Sequence, residues 1–148
     1  MRYFLIVLGI FTAELGIKNR VEKNGEQGKE KTVAGGLLLL KKYHNDGAFL
    51  NFGQKRKIWV AVWSVLLTAV LSILFVLSFG THGGKALKTG LSLLLGGAFS
   101  NTYDRLKRSY VVDYFSFGVK WKPLRNIVFN LSDFCIIIGS LVAVLSAQ

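Results

Sequence analysis

The stretch "LSLLLGGAFSNTYDRLKRSYVVDYF", residues 91–115, sets the problem that this chain solves. An apolar run of membrane grade ends in an Asn and two aspartates, Asp104 and Asp113, with basic residues between them. A third aspartate waits in "FNLSDF", residues 129–134, just as a second apolar run begins. An ionised side chain at membrane depth is costly, roughly +2.5 to 3.5 kcal/mol at the centre of a helix on insertion scales, so such groups are functional candidates by default.

Working outward, four apolar segments stand out. Residues 58–79 carry no charge, and a bilayer core needs about 20 helical residues, so this run spans. Residues 127–147 also span, with Asp133 near the start. Residues 87–99 carry Lys88 and are short, and they reach spanning length as 86–104 if the helix continues to Asp104. Residues 3–17 are interrupted by Glu14. With Arg2 they resemble a signal peptide, but Glu14 falls where the small-residue cleavage site should be, which favours a retained helix.

The polar stretches between these runs are of two kinds. "KNRVEKNGEQGKEKT", residues 18–32, is rich in Gly, Glu and Lys. "VAGGLLLLKKYHNDGAFLNFG", residues 33–53, is β-branched and aromatic, with "NDG" as a turn signal, and reads as a hairpin or small sheet on the membrane surface. "VVDYFSFGV", residues 111–119, alternates in part and reads as a strand. The only proline, Pro123, breaks the chain before the last helix, and "THGGKALK", residues 81–88, is a tight connector. The expectation is therefore one membrane domain of 148 residues, mainly α, with four transmembrane helices over about 3–17, 58–79, 86–104 and 127–147. Segments 18–57 and 105–126 would form a small β-rich cradle on one side of it.

Composition agrees with a membrane partner. Hydrophobic residues make up 51% of the chain, and 19 Lys and Arg face 8 Asp and Glu. Basic residues beside apolar runs attract anionic headgroups. A nucleic-acid binder carries its basic patch on a soluble fold, so nucleic acid is not an expected partner. The single Cys135 excludes an internal disulfide and a multi-Cys metal site, and the two histidines lie in separate connectors, so neither a metal nor a cofactor is expected. With four helices, one side holds both long connectors and 16 of the 19 basic residues. By the positive-inside rule that side would be cytoplasmic.

On a helix extending the third run, Gly97, Asn101, Asp104, Arg105 and Arg108 share one face. Asn130, Asp133, Ile137 and Ser140 share a face of the fourth. Each helix thus presents an Asn and an Asp three apart, while Gly96, Gly97 and Gly139 allow close approach. Asp104 has a structural alternative, a salt bridge to Arg105 or Arg108. Asp113 and Asp133 have no basic residue within one helical turn. Two carboxyls brought close in a partly dry site titrate as a unit, one holding a proton while the other is ionised. Such a pair contains an acid and a base together, which is the chemistry of an aspartic peptidase.

The blocks "GGAFSNTYDRLKRSYVVDYFSF" and "FNLSDFCIIIG" resemble the bacterial lipoprotein signal peptidases, the signal peptidase II family, which reads GGAxGNxxDRxxxGxVVDFxxF and then FNxADxxIxxG. "HNDGAF" resembles that family's HNxGAAF at Asn45 and Gly47, and "ELGIK" resembles D-Q-x-x-K at Glu14 and Lys18. The departures are Ser100, Ser109–Tyr110 and Ser132 in place of small residues, and Glu14–Leu15 in place of Asp-Gln. The resemblance implies a catalytic dyad of Asp113 and Asp133. Asn101, Asp104, Arg105 and Asn130 would organise the site, Asn45 and Gly47 would lie on the cradle near the peptide, and Glu14 and Lys18 would support it from the first helix. It also implies cleavage of prolipoproteins before a diacylglyceryl cysteine, with lipid chains between the helices. The enzyme would be a multi-pass, monomeric protein of the bacterial cytoplasmic membrane with its site on the extracytoplasmic side, opposite to the charge count. The alternatives are an inactive relative that binds lipidated peptides or anionic lipid, a small transport subunit with Asp133 as an ion site, and a cationic membrane-remodelling protein.

Overall fold

A computed structural model describes residues 1–47, 57–80 and 84–146. Residues 81–83 of the expected connector, and Ala48 and Phe49 of "HNDGAF", lie outside the described residues. Four long helices carry the fold: α1 (Arg2–Asn24), α2 (Lys57–Leu77), α3 (Lys85–Arg108) and α5 (Leu131–Leu145), with a short α4 (Lys122–Asn126). Among the described residues only α2, continued by a turn to Gly80, is both long and apolar enough to cross a membrane. Its Ile58, Trp59, Trp63, Leu67, Ile73 and Leu77 are all exposed, as only a non-aqueous surrounding would favour. At 1.5 Å per residue, the 15 residues of α5 cover about 22 Å, less than the roughly 30 Å of a bilayer core.

Helix α3 is the hub and packs on α1, α2 and α5. Its contact with α5 depends on absent side chains. A Cβ on Gly97 would stand 2.6 Å from the Ser132 carbonyl oxygen, and one on Gly139 would stand 2.5 Å from the Leu94 nitrogen. Gly96 instead faces Ile10 of α1. The apolar core lies towards the end of the bundle away from the sheet, around Tyr3, Phe75, Leu91, Leu95 and Ala143.

The other end is capped by an antiparallel sheet in the order β1 (Glu30–Val33), β2 (Leu38–Asn45), β3 (Val111–Phe117). The small sheet is where the sequence puts it, but its hairpin turn is a 3-10 turn at Ala34–Gly36 rather than at "NDG". Gly35 and Gly36 adopt positive φ of 65° and 97°, a conformation that glycine enters without a Cβ clash. "NDG" instead ends β2, so the first strand is drawn from the polar insert. A register irregularity between Leu40 and Tyr43 sets Tyr43 opposite Asp113.

Three helix ends differ from their expected positions, each for a physical reason. Helix α1 runs on to Asn24, because Lys18 is buried against α3 and Glu22 is tied to β2 through Lys42 and His44. Helix α3 continues to Arg108 and stops where Ser109 takes a left-handed φ of 65°. The last helix starts at Leu131, not at 127, because Asn130 is its N-cap in a capping box with Asp133. Before the cap, Phe129 pairs with Phe115 of β3 through N–H to carbonyl bonds of 2.7 and 3.1 Å. Phe115, Phe129 and Phe134 pack around that junction with ring centroids 5.6 to 6.3 Å apart. Pro123 occupies the first turn of α4, where its missing N–H costs nothing.

Candidate active site

The site lies where α1, α3, β3 and the start of α5 meet beneath the sheet. Asp113 comes from β3, whose first three residues, Val111, Val112 and Asp113, are all buried, and it is 1% exposed. Asp133 is the third residue of α5 and remains partly exposed. Asn130 joins them. Its Nδ2 donates to Asp113 Oδ1 at 2.6 Å, its backbone N–H donates to Asp133 Oδ2 at 3.0 Å, and its Oδ1 accepts from the Asp133 N–H at 3.1 Å. A cap residue thereby becomes a bridge: its side-chain amide holds the Asp113 carboxyl and its backbone N–H holds the Asp133 carboxyl.

Each carboxyl has one further amide donor. Asn45 Nδ2 donates to Asp113 Oδ2 at 3.1 Å, and Asn101 Nδ2 donates to Asp133 Oδ1 at 3.1 Å. Among the described residues neither carboxyl forms an ion pair. Burial, and then the charge of Asp133, push the Asp113 carboxyl up to about 7. The asparagine amides and Lys18 pull the other way and do not prevail. Burial and the Glu14 carboxylate also raise the neighbouring Tyr114 hydroxyl, which keeps it protonated.

Asp104 has a different role. It pairs with Lys18 at 3.2 Å and Arg108 at 3.0 Å, and it accepts the Val112 N–H at 3.1 Å. It anchors β3 to α3, as the salt-bridge alternative supposed, although Lys18 rather than Arg105 completes the bridge. Arg105 instead donates to the carbonyl oxygens of Gly47 at 3.2 Å and Asn101 at 3.4 Å, tying the end of β2 to α3. Gly47 in turn donates its N–H to Asn45 Oδ1 at 3.2 Å. Lys18 Nζ donates to Asn101 Oδ1 at 2.8 Å and to Ser100 Oγ at 3.0 Å. Glu14 Oε1 accepts the Ser132 N–H at 2.6 Å. All ten residues singled out in the sequence therefore belong to one assembly of hydrogen bonds and ion pairs.

Sequence reasoning missed two members of that assembly. Tyr114 bonds both Glu14 and the Leu131 N–H. The available signal was a tyrosine where the resembled pattern reads VVDF. Ser100, noted only as a departure from Gly, supplies an oxygen to Lys18.

A helical bundle capped at one end by a small antiparallel sheet is also the fold of known bacterial membrane enzymes. Two structures solved by the in meso method, at 2.3 and 1.9 Å resolution, superpose with TM-scores of 0.84 and 0.79. Each covers 99% of this chain, with 87% and 92% of the other chain matched, at 20% and 19% identity. A family model for signal peptidase (SPase) II matches residues 6–147. The lipoprotein signal peptidase of Lactobacillus gasseri is 31% identical over 93% of this chain and 85% of its own length. That of Caldicellulosiruptor bescii is 30% identical over 95% and 87%. The chain belongs to the signal peptidase II family.

Proposed function

We propose that this protein is a membrane endopeptidase that removes the signal peptide from prolipoproteins carrying a diacylglyceryl cysteine, with Asp113 and Asp133 as its catalytic pair. The observation that carries the reading is the bridge through Asn130. One residue donates to both carboxyls, to Asp113 from its side-chain amide and to Asp133 from its backbone N–H, and neither carboxyl has a direct cation among the described residues, as suits a pair that shares one proton.

In this reading Asp113 begins protonated. Asp133 begins ionised, its charge favoured by the N-terminus of α5. Asp133 takes a proton from water as the water oxygen attacks the scissile carbonyl carbon, and Asp113 gives its proton to the carbonyl oxygen. When the resulting gem-diol collapses, the C–N bond breaks. Asp133 passes its proton to the departing amine nitrogen, and Asp113 recovers one from a diol hydroxyl. Both carboxyls return to their starting states.

Four helices cross the membrane in this proposal, α1, α2, α3 and α5, the bilayer thinning locally to match the short α5, with the sheet and the carboxyls at the extracytoplasmic surface. In sequence, the two long connectors, 18–57 and 101–126, hold 16 of the 19 basic residues, against the positive-inside rule. The family match is far more specific than a charge count and supports the orientation proposed. The acyl chains of the substrate would lie in the groove of about 430 Å³ between α2 and α3, walled by Ile58, Val62, Val65 and Leu66 and reaching Arg105. Membrane lipid would cover the exposed faces of the helices, and one copy of the chain would suffice.

Asp113→Asn and Asp133→Asn each test the pair. Both variants are expected to insert and fold, and each is expected to lose cleavage of a diacylglyceryl-modified substrate in detergent or liposomes. Cleavage retained in either variant would remove the dyad. Loss of cleavage in the wild-type chain itself would favour an inactive relative that only binds lipidated peptides. For orientation, a cysteine at Gly28 or Lys120, in a Cys135→Ala background, should react with an impermeant reagent in intact cells. Reaction only after lysis would place the site in the cytoplasm.

A further inference from the structure

We propose that Tyr114 and Glu14 form a positioning clamp on the first turn of α5, and so fix the helix that carries Asp133. The inference rests on the reading of Asp113 and Asp133 as the reacting pair.

The first N–H groups of a helix have no partner within it. In α5, three of them are met by side chains from three different places. The Leu131 N–H donates to Tyr114 Oη at 3.0 Å, the Ser132 N–H donates to Glu14 Oε1 at 2.6 Å, and the Asp133 N–H donates to Asn130 Oδ1 at 3.1 Å. Tyr114 also donates its hydroxyl hydrogen to Glu14 Oε1 at 3.2 Å. The phenol therefore accepts from α5 and donates to α1, and a phenylalanine can do neither. Helix α5, strand β3 and helix α1 are closed into one ring of hydrogen bonds.

That ring has a consequence for geometry. Asp113 and Tyr114 are adjacent on β3 and make parallel cross-links to the start of α5, one from Asp113 to Asn130 and one from Tyr114 to Leu131. Together they fix both the height and the rotation of the helix start against the strand. Rotation is the more sensitive of the two, because residues of the first turn point in directions about 100° apart.

Glu14 braces the same aspartate from a second direction. It lies one turn before Lys18 on α1, with Oε2 at 3.9 Å from Lys18 Nζ. Lys18 holds Asn101 Oδ1, and Asn101 Nδ2 holds Asp133 Oδ1. One turn of α1 thus holds the backbone at Ser132, just before Asp133, through Glu14 and the Asp133 carboxyl through Lys18 and Asn101. Glu14 and Lys18 are 0% and 1% exposed, so water does not substitute for these bonds. Neither Glu14 nor Tyr114 is needed as a proton carrier in the proposed reaction.

The test uses the full chain in detergent and two conservative variants. Tyr114→Phe removes only the hydroxyl. Glu14→Asp keeps the charge beside Lys18 but is one methylene too short to reach the Ser132 N–H. Amide hydrogen exchange over residues 130–133 should rise in both. The kcat for a diacylglyceryl-modified substrate should fall roughly tenfold at nearly unchanged KM, the mark of misplaced reacting groups rather than weakened binding. In the double variant the loss should be no larger than in the worse single variant, because the two residues act as one unit. Unchanged exchange in both single variants, or full kcat in both alongside an active wild type, would overturn the clamp. If the wild type does not cleave, the peptidase reading fails, and the exchange measurement still decides the clamp. If Tyr114→Phe fails to fold, Glu14→Asp carries the same two measurements.

Discussion

Gly97→Ala should move Asp133 without touching it. The added Cβ would lie 2.6 Å from the Ser132 carbonyl oxygen and 2.9 Å from Ile136 Cγ1, where ordinary contact begins at 3.4 Å. Ile136 can turn aside, but the Ser132 carbonyl is helix backbone, so α3 and α5 must part by about 0.8 Å at this point. The Asn101–Asp133 hydrogen bond crosses the same gap at 3.1 Å and would stretch to nearly 4 Å, beyond hydrogen-bonding distance. Overpacking of this kind costs about 1–3 kcal/mol of stability. A displacement approaching 1 Å at reacting groups costs on the order of 100-fold in rate. The expected result is a folded protein with a lowered melting temperature in detergent and a kcat reduced by about two orders of magnitude. Gly9→Ala is the matched control, since a Cβ there meets nothing within 4 Å, and it should leave both quantities unchanged. A Gly97→Ala variant as active as the wild type would refute the idea that close α3–α5 approach sets the carboxyl geometry.

Three further outcomes follow from the same site. Asp113 binds its proton more tightly in the folded chain than in the unfolded one, about 7 against an ordinary 3.8, so its own contribution to stability is fully present below about pH 4 and is lost as pH rises through 7. Thermal unfolding across that range should show the decline, and Asp113→Asn should flatten it; cleavage should also fall above pH 7 as the shared proton is lost. Lys18→Met should leave the Asp104 and Glu14 carboxylates buried beside an apolar chain and destabilise the protein by roughly 3–5 kcal/mol, measured by unfolding in detergent. Asn130→Ala should lose the α5 cap, about 1 kcal/mol, together with nearly all cleavage, because the bridge between the carboxyls goes with it; cleavage near the wild-type rate would separate the bridge from the chemistry.

The sequence by itself determined the greasy helical frame, the strand that carries Asp113, the small sheet and the paired Asn and Asp residues of the last two long helices, while the rest of the site followed only from a resemblance of motifs. The former are local properties. A charge-free run of 22 residues at 58–79, an alternating "VVDYFSF", and Asn and Asp placed three apart each state their meaning within a few neighbours. It did not determine where helices end or what the cradle turns on. Lys18 reads as the start of a polar connector until α3 offers it Asp104 and Asn101, and helix α1 then continues past it. Asn130 reads as one face of a helix until the Phe129–Phe115 pairing halts the strand segment and makes it the cap. Tyr114 reads as one more aromatic on a strand until Glu14, 100 positions away, meets its hydroxyl. In each case the deciding partner is distant in sequence. The worth of a buried polar bond depends on whether that partner arrives, which only the packed chain settles.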